Sequence, residues 1–195
     1  AVQVPLIMRL PGGARAGTRI GGTVGQVDIP ATLVDLAGLP PQGMDGASLR
    51  PALAAGTAAS KPVYSETLFP RYHFGWSALY AVTDGRFRYV RAPRPELFDL
   101  ATDPAETRNI ADSRTSAAAA MDHWLEGRVS AAELAAPDEV SPDTREKLQA
   151  LGYIGVGTVA PPPGLLPDPK DKIGSYEDLK RALALLPPGP EAQEA

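Results

Sequence analysis

Apolar and polar residues alternate on both sides of Asp84-Gly85, and this pattern predicts a β-hairpin. A two-residue Asp-Gly loop supplies the positive φ angles that a type I′ turn requires. That turn would place Ala78, Tyr80, Val82, Phe87 and Tyr89 on one face, because side chains directly opposite each other share a face of the sheet. The aromatic and β-branched content of this face favours burial. The predicted opposite pairs are Thr83 with Arg86, Val82 with Phe87, Tyr80 with Tyr89, and Ala78 with Arg91.

The pattern after the hairpin predicts a strand, a capped turn and a helix. Residues 96–100 are predicted to form the strand. Asp103-Pro104-Ala105-Glu106 is typical of a helix start, with Asp103 as N-cap and Glu106 reaching back to the cap amide. Residues 113–126 carry apolar side chains on one side, which predicts an amphipathic helix that Trp124 anchors to the sheet.

The pattern before the hairpin predicts one strand and one long helix. Residues 2–10 are apolar nearly throughout, which is typical of a strand covered on both faces in a parallel α/β sheet. Asp28 can cap a helix that ends before Gly38, a residue suited to the C′ position. The predicted apolar face of this helix consists of Ile29, Leu33, Leu36 and Ala37. Ser48 can cap a short helix, and residues 62–66 are predicted to form another strand.

The chain changes character towards its end. Helical turns are predicted at residues 130–136 and 141–151, and residues 155–169 are rich in glycine and proline, as in a semi-rigid linker. A final helix is predicted from Ser175 to Leu186. The predicted domain organisation is 1–60 for the edge of an α/β domain, 61–154 for a small antiparallel subdomain, 155–172 for the linker and 173–195 for a terminal helix.

Composition narrows the function without assigning one. The 195 residues are 44% hydrophobic and 22% charged, as in an ordinary globular protein. A net charge of -4 gives no electrostatic attraction for nucleic acid, and no apolar run is long enough to cross a membrane. Without cysteine the chain has no disulfide, thiolate ligand or cysteine nucleophile. Because Ala1 lies directly in a predicted strand, we expect the first residues of the natural protein to be missing, and the compartment stays open.

One group of motifs is familiar. Residues 96–100, followed by Asp103-Pro104-x-Glu106-x-x-Asn109, resemble the C-terminal subdomain of the sulfatases of the alkaline phosphatase superfamily. Four further segments are similar to that family in the same order, and the resemblance extends over residues 4 to 125. The tail, with Asp168-Pro169-Lys170-Asp171, resembles sulfatases that precede tetratricopeptide repeats. The four further segments are residues 4–13, 27–40, 45–49 and 64–67, and the hairpin of residues 76–90 completes the set.

The resemblance implies a fold and a parent reaction. The implied fold class is α/β, a fragment of a large mixed sheet with a covering helix, plus a small antiparallel β subdomain packed by a C-terminal helix. The implied activity of the parent protein is hydrolysis of a sulfate monoester on a small molecule or glycan. Calcium and a formylglycine made from the Cys or Ser of a Cys/Ser-x-Pro-x-Arg motif would supply the chemistry. Since this chain lacks that motif and the metal-binding Asp segments, we expect the reactive groups in a missing N-terminal catalytic half, and no catalysis, cofactor or metal in this chain alone.

Polar and aromatic side chains crowd together between Arg71 and Trp76. In the resemblance this segment lies near the active-site mouth, so Arg71, Tyr72, His73 and Trp76 are candidate substrate-binding residues. Arg71 and His73 could meet a sulfate, and Trp76 could stack on a sugar ring. The competing interpretation is a surface loop with a packed tryptophan.

Other candidate residues have simpler explanations, and two other functions stay open. Asp28 and Asp35 lie seven apart on one helix, but capping and exposure account for them. His123 lies on a helix face predicted to be solvated. The alternatives to a sulfatase portion are a non-catalytic binding or scaffold module, which would grip a partner through the hairpin and residues 71–76, and part of a phosphatase or phosphonate hydrolase.

Overall fold

The described residues contain a four-stranded sheet and five α-helices, so the mixed α/β fold class is confirmed. The computed structural model describes residues 4–40, 42–58, 60–129 and 166–185. The strands follow the order β1-β2-β3-β4, and both β2 with β3 and β3 with β4 pair antiparallel. The strands are β1 (Val63–Thr67), β2 (Leu79–Thr83), β3 (Phe87–Arg91) and β4 (Glu96–Asp99); the helices are α1 (Asp28–Leu36), α2 (Arg50–Ala55), α3 (Phe69–Phe74), α4 (Thr115–Glu126) and α5 (Ile173–Ala184).

The β2–β3 hairpin forms, but the predicted register is wrong by two residues. Thr83 pairs with Arg88, and the Asp84 amide donates to the Phe87 carbonyl at 3.1 Å. Gly85 and Arg86 are therefore the central residues, and only Gly85 has a positive φ, at 97°. This is the pattern of a type II′ turn, which takes glycine at the first central position, instead of the predicted type I′. The Asp84 carboxylate fixes this geometry by accepting hydrogen bonds from the Arg86 and Phe87 amides, at 3.0 and 2.7 Å.

The predicted buried face survives this shift. Side chains alternate with a period of two, so a two-residue slip keeps each residue on the same face. Tyr80, Val82 and Tyr89 are all buried. Helix α4 packs against β3, burying Met121 and Leu125. Trp124, the predicted anchor, is instead only half-buried, with the Arg128 guanidinium 3.5 Å from its ring centre.

The segment between β4 and α4 is not the predicted helix start. Residues 101–105 contain turns, residues 106–110 have no regular secondary structure, and α4 begins at Thr115. The Asp103 carboxylate does cap backbone amides, those of Thr107 at 3.1 Å and Arg108 at 2.8 Å. Glu106, however, has a φ of 56°, which is left-handed backbone that cannot continue a right-handed helix. Its carboxylate pairs with Arg88 and does not reach back to the cap amide.

Asn109 explains why this segment runs beside β4. Its side-chain oxygen accepts from the Leu97 amide at 3.0 Å and from the Ala111 amide at 2.9 Å. Its side-chain nitrogen donates to the Pro95 carbonyl at 3.1 Å. The Ile110 amide adds a backbone bond to the Leu97 carbonyl at 2.8 Å. The Asp-Pro-x-Glu-x-x-Asn motif is therefore a structural clamp on the last strand.

The predicted first strand is wrong for the part that the structure describes. Residues 4–10 have no strand structure, and Ile7 is 89% exposed. A strand needs a neighbour to accept and donate its backbone hydrogen bonds. In the described part of the chain none pairs with residues 4–10, so the apolar run of this segment faces solvent.

Helix α1 has the predicted extent, but its apolar face is exposed. It ends at Leu36, and Gly38 follows in left-handed backbone with a φ of 77°, as predicted. Its buried side chains are Ala31 and Thr32, whereas Leu33 is 57% and Leu36 41% exposed. Asp28 is not an N-cap; its carboxylate accepts from the Gly25 amide at 3.0 Å and the Ala47 amide at 2.8 Å, joining two loops. Asp35 accepts from the Ser48 hydroxyl at 2.5 Å and from Arg50 at 3.1 Å, so both carboxylates have structural partners.

The described residues form two compact units that alternate along the chain. The first comprises residues 4–66, 80–91 and 95–129, and the second comprises 67–79, 92–94 and 166–185. Helix α5 starts two residues before the predicted Ser175. Three predicted segments lie outside the described residues: 130–136, 141–151, and the linker at 155–169 apart from its last residues. The predicted domain boundaries stay predictions. No helix of the described segments combines the length and apolarity of a membrane span.

Candidate functional site

Helix α3 carries the candidate substrate-binding residues. The sequence predicted a loop here, but Pro70 in the first turn favours a helix start, since its fixed φ is already helical. Gly75 ends the helix in left-handed backbone with a φ of 66°, which glycine adopts without steric cost. Its amide bonds the Arg71 carbonyl at 3.0 Å, and the Trp76 amide bonds the Pro70 carbonyl at 3.1 Å. The bond from the Gly75 amide to the Arg71 carbonyl is that of an αL helix ending, and the bond from the Trp76 amide fixes where the chain leaves the helix.

Five rings in the second unit form a connected aromatic cluster. The rings of Phe69 and His73 lie 4.1 Å apart, centre to centre. Phe74 stacks on Trp76 at 4.5 Å with an interplanar angle of 25°. Tyr176 of α5 meets Phe74 edge to face at 5.6 Å. The two separations that involve Phe74 are within the range of favourable ring pairs. The aromatic cluster is Phe69, His73, Phe74, Trp76 and Tyr176.

The structure brings some of the predicted site residues together. Arg71, Tyr72, His73 and Trp76 are all half-buried. His73 and Trp76 are joined through Phe74, whose ring lies 6.2 Å from His73. Arg71 and His73 lie two residues apart in α3, and residues at that spacing project to different sides of a helix. Arg71 and His73 therefore do not form one cationic pair on a single face.

A polar network holds the end of the described chain to the residues after β3. The Arg94 guanidinium donates twice to the Asp171 carboxylate, at 2.9 and 2.6 Å. Asp168 accepts from the Arg94 amide at 3.1 Å and from the Lys170 amide at 3.0 Å. The Lys170 ammonium donates to the Arg94 carbonyl at 2.5 Å. Ser77, next to Trp76, adds two bonds to this segment, one from its amide to the Pro167 carbonyl and one from its hydroxyl to the Leu166 carbonyl, at 2.9 and 3.1 Å.

The electrostatics of this network keep its carboxylates ionised. Asp168 is only 5% exposed. Its burial disfavours the charged form, but hydrogen bonds from the Lys170 and Arg94 amides and the nearby Lys170 charge outweigh that effect and lower the pKa of Asp168. Hydrogen bonds from the Arg94 guanidinium also lower the pKa of Asp171. Both carboxylates are therefore ionised at neutral pH, and their contribution to stability is lost only as the pH falls through their lowered pKa values.

Sequence reasoning missed Tyr176, Arg94 and the role of Asp168. About a hundred residues separate Tyr176 from Phe74 along the chain, and no local periodicity predicts a contact over that distance. The sequence Asp168-Pro169-Lys170-Asp171 is part of the tail that resembles other sulfatases. It also has the pattern of an N-cap followed by proline at the first helical position. That signal predicts the 3-10 turn at Pro169–Lys172 but not its partner, Arg94.

A shallow concavity of about 500 Å³ lies in the first unit, next to the turn before α4. Its Asp99 carboxylate is held by Arg86 at 2.9 Å, and Arg86 lowers the pKa of Asp99. Its Asn109 side chain clamps β4, and its Ser113 hydroxyl donates to the Ile110 carbonyl at 3.0 Å. These three polar groups already serve the fold, so the concavity is a by-product of the turn. Its lining residues are Asp99, Arg108, Asn109, Ile110, Ser113 and Arg114.

The described residues do not fit the calcium ion or the formylglycine that the resemblance implies. Within residues 4–40, 42–58, 60–129 and 166–185, no three His, Asp or Glu side chains are grouped so that they could hold a metal. The sequence has no cysteine, and none of its serines begins a Ser-x-Pro-x-Arg motif.

A sequence model described as N-sulphoglucosamine sulphohydrolase, C-terminal, matches residues 1–132. Because this match covers more than half of the chain, the chain belongs to that family, and the predicted identity as a C-terminal sulfatase portion is confirmed.

Individual relatives match a limited part of their own length. Arylsulfatase K of Bos taurus is 29% identical over 140 residues, which are 63% of this chain and 25% of that protein. Choline-sulfatase of Rhizobium meliloti is 34% identical over 119 residues, covering 58% of this chain and 22% of that protein. The chain thus spans about a quarter of the curated relatives it matches. Among solved structures, Ps i-CgsB aligns with a TM-score of 0.47 and 20% identity, over 54% of this chain and 24% of that one.

Proposed function

We propose that this chain is the C-terminal portion of an enzyme that hydrolyses sulfate monoesters, where it supports the fold and lines the substrate entrance. The observation that carries the proposal is membership in a sulfatase C-terminal family by a chain that spans about a quarter of its sulfatase relatives. The reactive centre, with its formylglycine and calcium ion, then belongs to an N-terminal portion of the same polypeptide. This chain is inactive alone.

The exposed apolar face of the first unit supports the presence of that partner. Leu33, Leu36 and Leu39 line the exposed side of α1 and its end, and Val4, Leu6 and Ile7 are exposed as well. Solitary exposed apolar residues are ordinary, but so many in one stretch of about forty residues mark a surface that is buried in the complete protein. The occupant that fits is the N-terminal portion, whose sheet residues 4–10 would join as a strand.

Helix α3 supplies side chains suited to a sulfated ligand. A guanidinium such as that of Arg71 donates paired hydrogen bonds to the oxygens of a sulfate. Trp76 offers a flat apolar ring for stacking, and its own stacking on Phe74 limits the orientations it can adopt. A rigid helix that presents half-buried polar and aromatic groups is a typical support for a ligand entrance.

Kinetics of the complete protein tests the role of α3. The experiment uses the complete protein, in which this chain is joined to its N-terminal portion. The wild type is compared with three variants, Arg71→Ala, His73→Ala and Trp76→Ala. A sulfated monosaccharide is the substrate, and its non-sulfated counterpart is the inhibitor. Arg71→Ala is expected to raise KM about tenfold with little change in kcat, because one charge-assisted hydrogen bond contributes about 1.5–3 kcal/mol. The matched control is Arg114→Ala, an exposed arginine of the first unit.

Two outcomes contradict the proposal. Unchanged KM values for all three variants would remove α3 from the entrance. Faster hydrolysis of a phosphate or phosphonate ester than of the matched sulfate ester would assign the parent to a different reaction class.

A further inference from the structure

We infer that residues 166–185, the C-terminal strap, position the substrate entrance by fixing the ring of Trp76. The inference rests on the proposed role of α3. The strap does not contact substrate in this arrangement; it acts through Phe74 and Ser77, the two neighbours of Trp76 that it touches.

Ion pairs and hydrogen bonds hold the first residues of the strap to Arg94. The Asp168 carboxylate is almost fully buried and accepts hydrogen bonds from the backbone amides of Arg94 and Lys170. The Arg94 guanidinium donates two hydrogen bonds to the Asp171 carboxylate. Paired hydrogen bonds between a guanidinium and a carboxylate fix relative orientation as well as distance. The position of the 3-10 turn at Pro169–Lys172, from which α5 continues, is thereby defined relative to residues 92–94.

The other end of the strap meets the rings of α3. Tyr176 lies one turn into α5, and its edge-to-face contact with Phe74 occurs on the ring that stacks on Trp76. The Lys180 ammonium lies 5.5 Å from the centre of the Tyr176 ring, one helical turn further on. Ser77 bonds two carbonyl groups of the strap, so the backbone that follows Trp76 is held too. Trp76 therefore has a ring stack on one side and an anchored backbone on the other, and the strap contacts both.

The alternative for this segment is the start of a helical repeat, as the tail resemblance implied. In that case the contacts of α5 with Phe74 would be incidental. The two possibilities differ in whether Trp76 responds when Tyr176 is changed.

Fluorescence of Trp76 provides a test that needs no substrate. The chain has two tryptophans, so Trp124→Phe leaves Trp76 as the single reporter. In that background, Tyr176→Ala is expected to shift the Trp76 emission to longer wavelength and to increase its quenching by acrylamide. Tyr176→Phe keeps the ring and should restore both signals. Asp178→Ala, which alters an exposed residue of α5 that pairs with Arg181, is the matched control and should change neither.

Kinetics of the complete protein adds the functional arm. Tyr176→Ala should raise KM for the sulfated monosaccharide about 2- to 10-fold, the equivalent of one aromatic pair, while kcat is kept and Tyr176→Phe restores KM. Unchanged Trp76 emission in Tyr176→Ala overturns the inference whatever the kinetics show. An altered emission with unchanged KM also overturns it, provided that Arg71→Ala still raises KM. If neither Arg71→Ala nor Tyr176→Ala changes KM, the proposed function of α3 fails first and the inference fails with it.

Discussion

Glu106 shows how a single residue can serve the fold through both its backbone and its side chain. Its left-handed φ of 56° turns the chain away from a helical course. Its carboxylate then meets Arg88, which is 7% exposed and also donates to the Thr83 hydroxyl at 3.0 Å. The sequence motif suggested a capping box at this position. It could not reveal Arg88 as the partner, because the pairing depends on how β3 and the turn meet in space.

The Glu106–Arg88 pair predicts a specific loss of stability. Glu106→Gln leaves the buried guanidinium without its anionic partner, so the free energy of unfolding should fall by about 1–3 kcal/mol. Asp112→Asn, a change of the same kind at an exposed carboxylate nearby, should stay within about 0.5 kcal/mol. Denaturant unfolding of both variants measures the difference, and equal losses would contradict the assignment.

Tyr89 predicts how stability depends on high pH. Burial, followed by the hydrogen bond to Asp122 at 2.9 Å, raises the pKa of Tyr89 to about 12. The folded state thus favours the neutral phenol. Its contribution is fully present below the unfolded pKa of about 10 and is lost as the pH rises towards 12. Between these values the unfolding free energy of the wild type should fall more steeply than that of Tyr89→Phe, as measured by denaturant unfolding at several pH values. Parallel slopes would contradict this.

For the strands and helices, the sequence predicted which side chains face the core better than it predicted which residues pair across the strands. The alternation around the hairpin correctly assigned Tyr80, Val82 and Tyr89 to the core, since side-chain period alone decides the face. The register depended on which two residues form the loop, and the Asp84 side chain decided that by capping the next amides. Helix α4 was predictable from its periodicity, whereas the turn before it was governed by long-range bonds from Asn109.

The packing of α4 on β3 predicts a large difference between two leucines. Leu125 is fully buried at 0% exposure, so Leu125→Ala should lower the free energy of unfolding by about 2–5 kcal/mol. Leu33→Ala on the exposed face of α1 makes the same chemical change and should cost less than about 0.5 kcal/mol in this chain. Similar losses for the two variants, measured by thermal or denaturant unfolding, would mean that the helices pack differently.

For the molecule as a whole, membership in a sulfatase C-terminal family and the exposed apolar side chains of the first unit point to the same proposal. A resemblance of several segments in the family's order, over residues 4 to 125, predicted a C-terminal sulfatase portion. The structure adds that Asn109, within one of these segments, clamps β4. The strand predicted at residues 2–10 failed because a strand is a property of its neighbours as much as of its own sequence. The contact between α5 and Phe74 could not be predicted, since nothing local to Tyr176 points to it.

Calcium should leave the isolated chain unaffected. A ligand that binds only the folded state raises its melting temperature, and the described residues group no three acidic or histidine side chains around a metal position. The melting temperature should therefore be the same in calcium and in chelator. A rise of several degrees that saturates with calcium would assign a metal site to this chain.

Turnover of an aryl sulfate, measured with this chain alone and with its N-terminal portion co-expressed, shows where the reactive centre lies. We expect no hydrolysis above buffer by the purified chain and clear hydrolysis by the co-expressed pair. We also expect the activity to be lost when the nucleophile of the N-terminal portion is replaced. Sulfatase activity of the chain by itself, retained after removal of calcium, would show that the reactive centre lies among these 195 residues and would contradict this expectation.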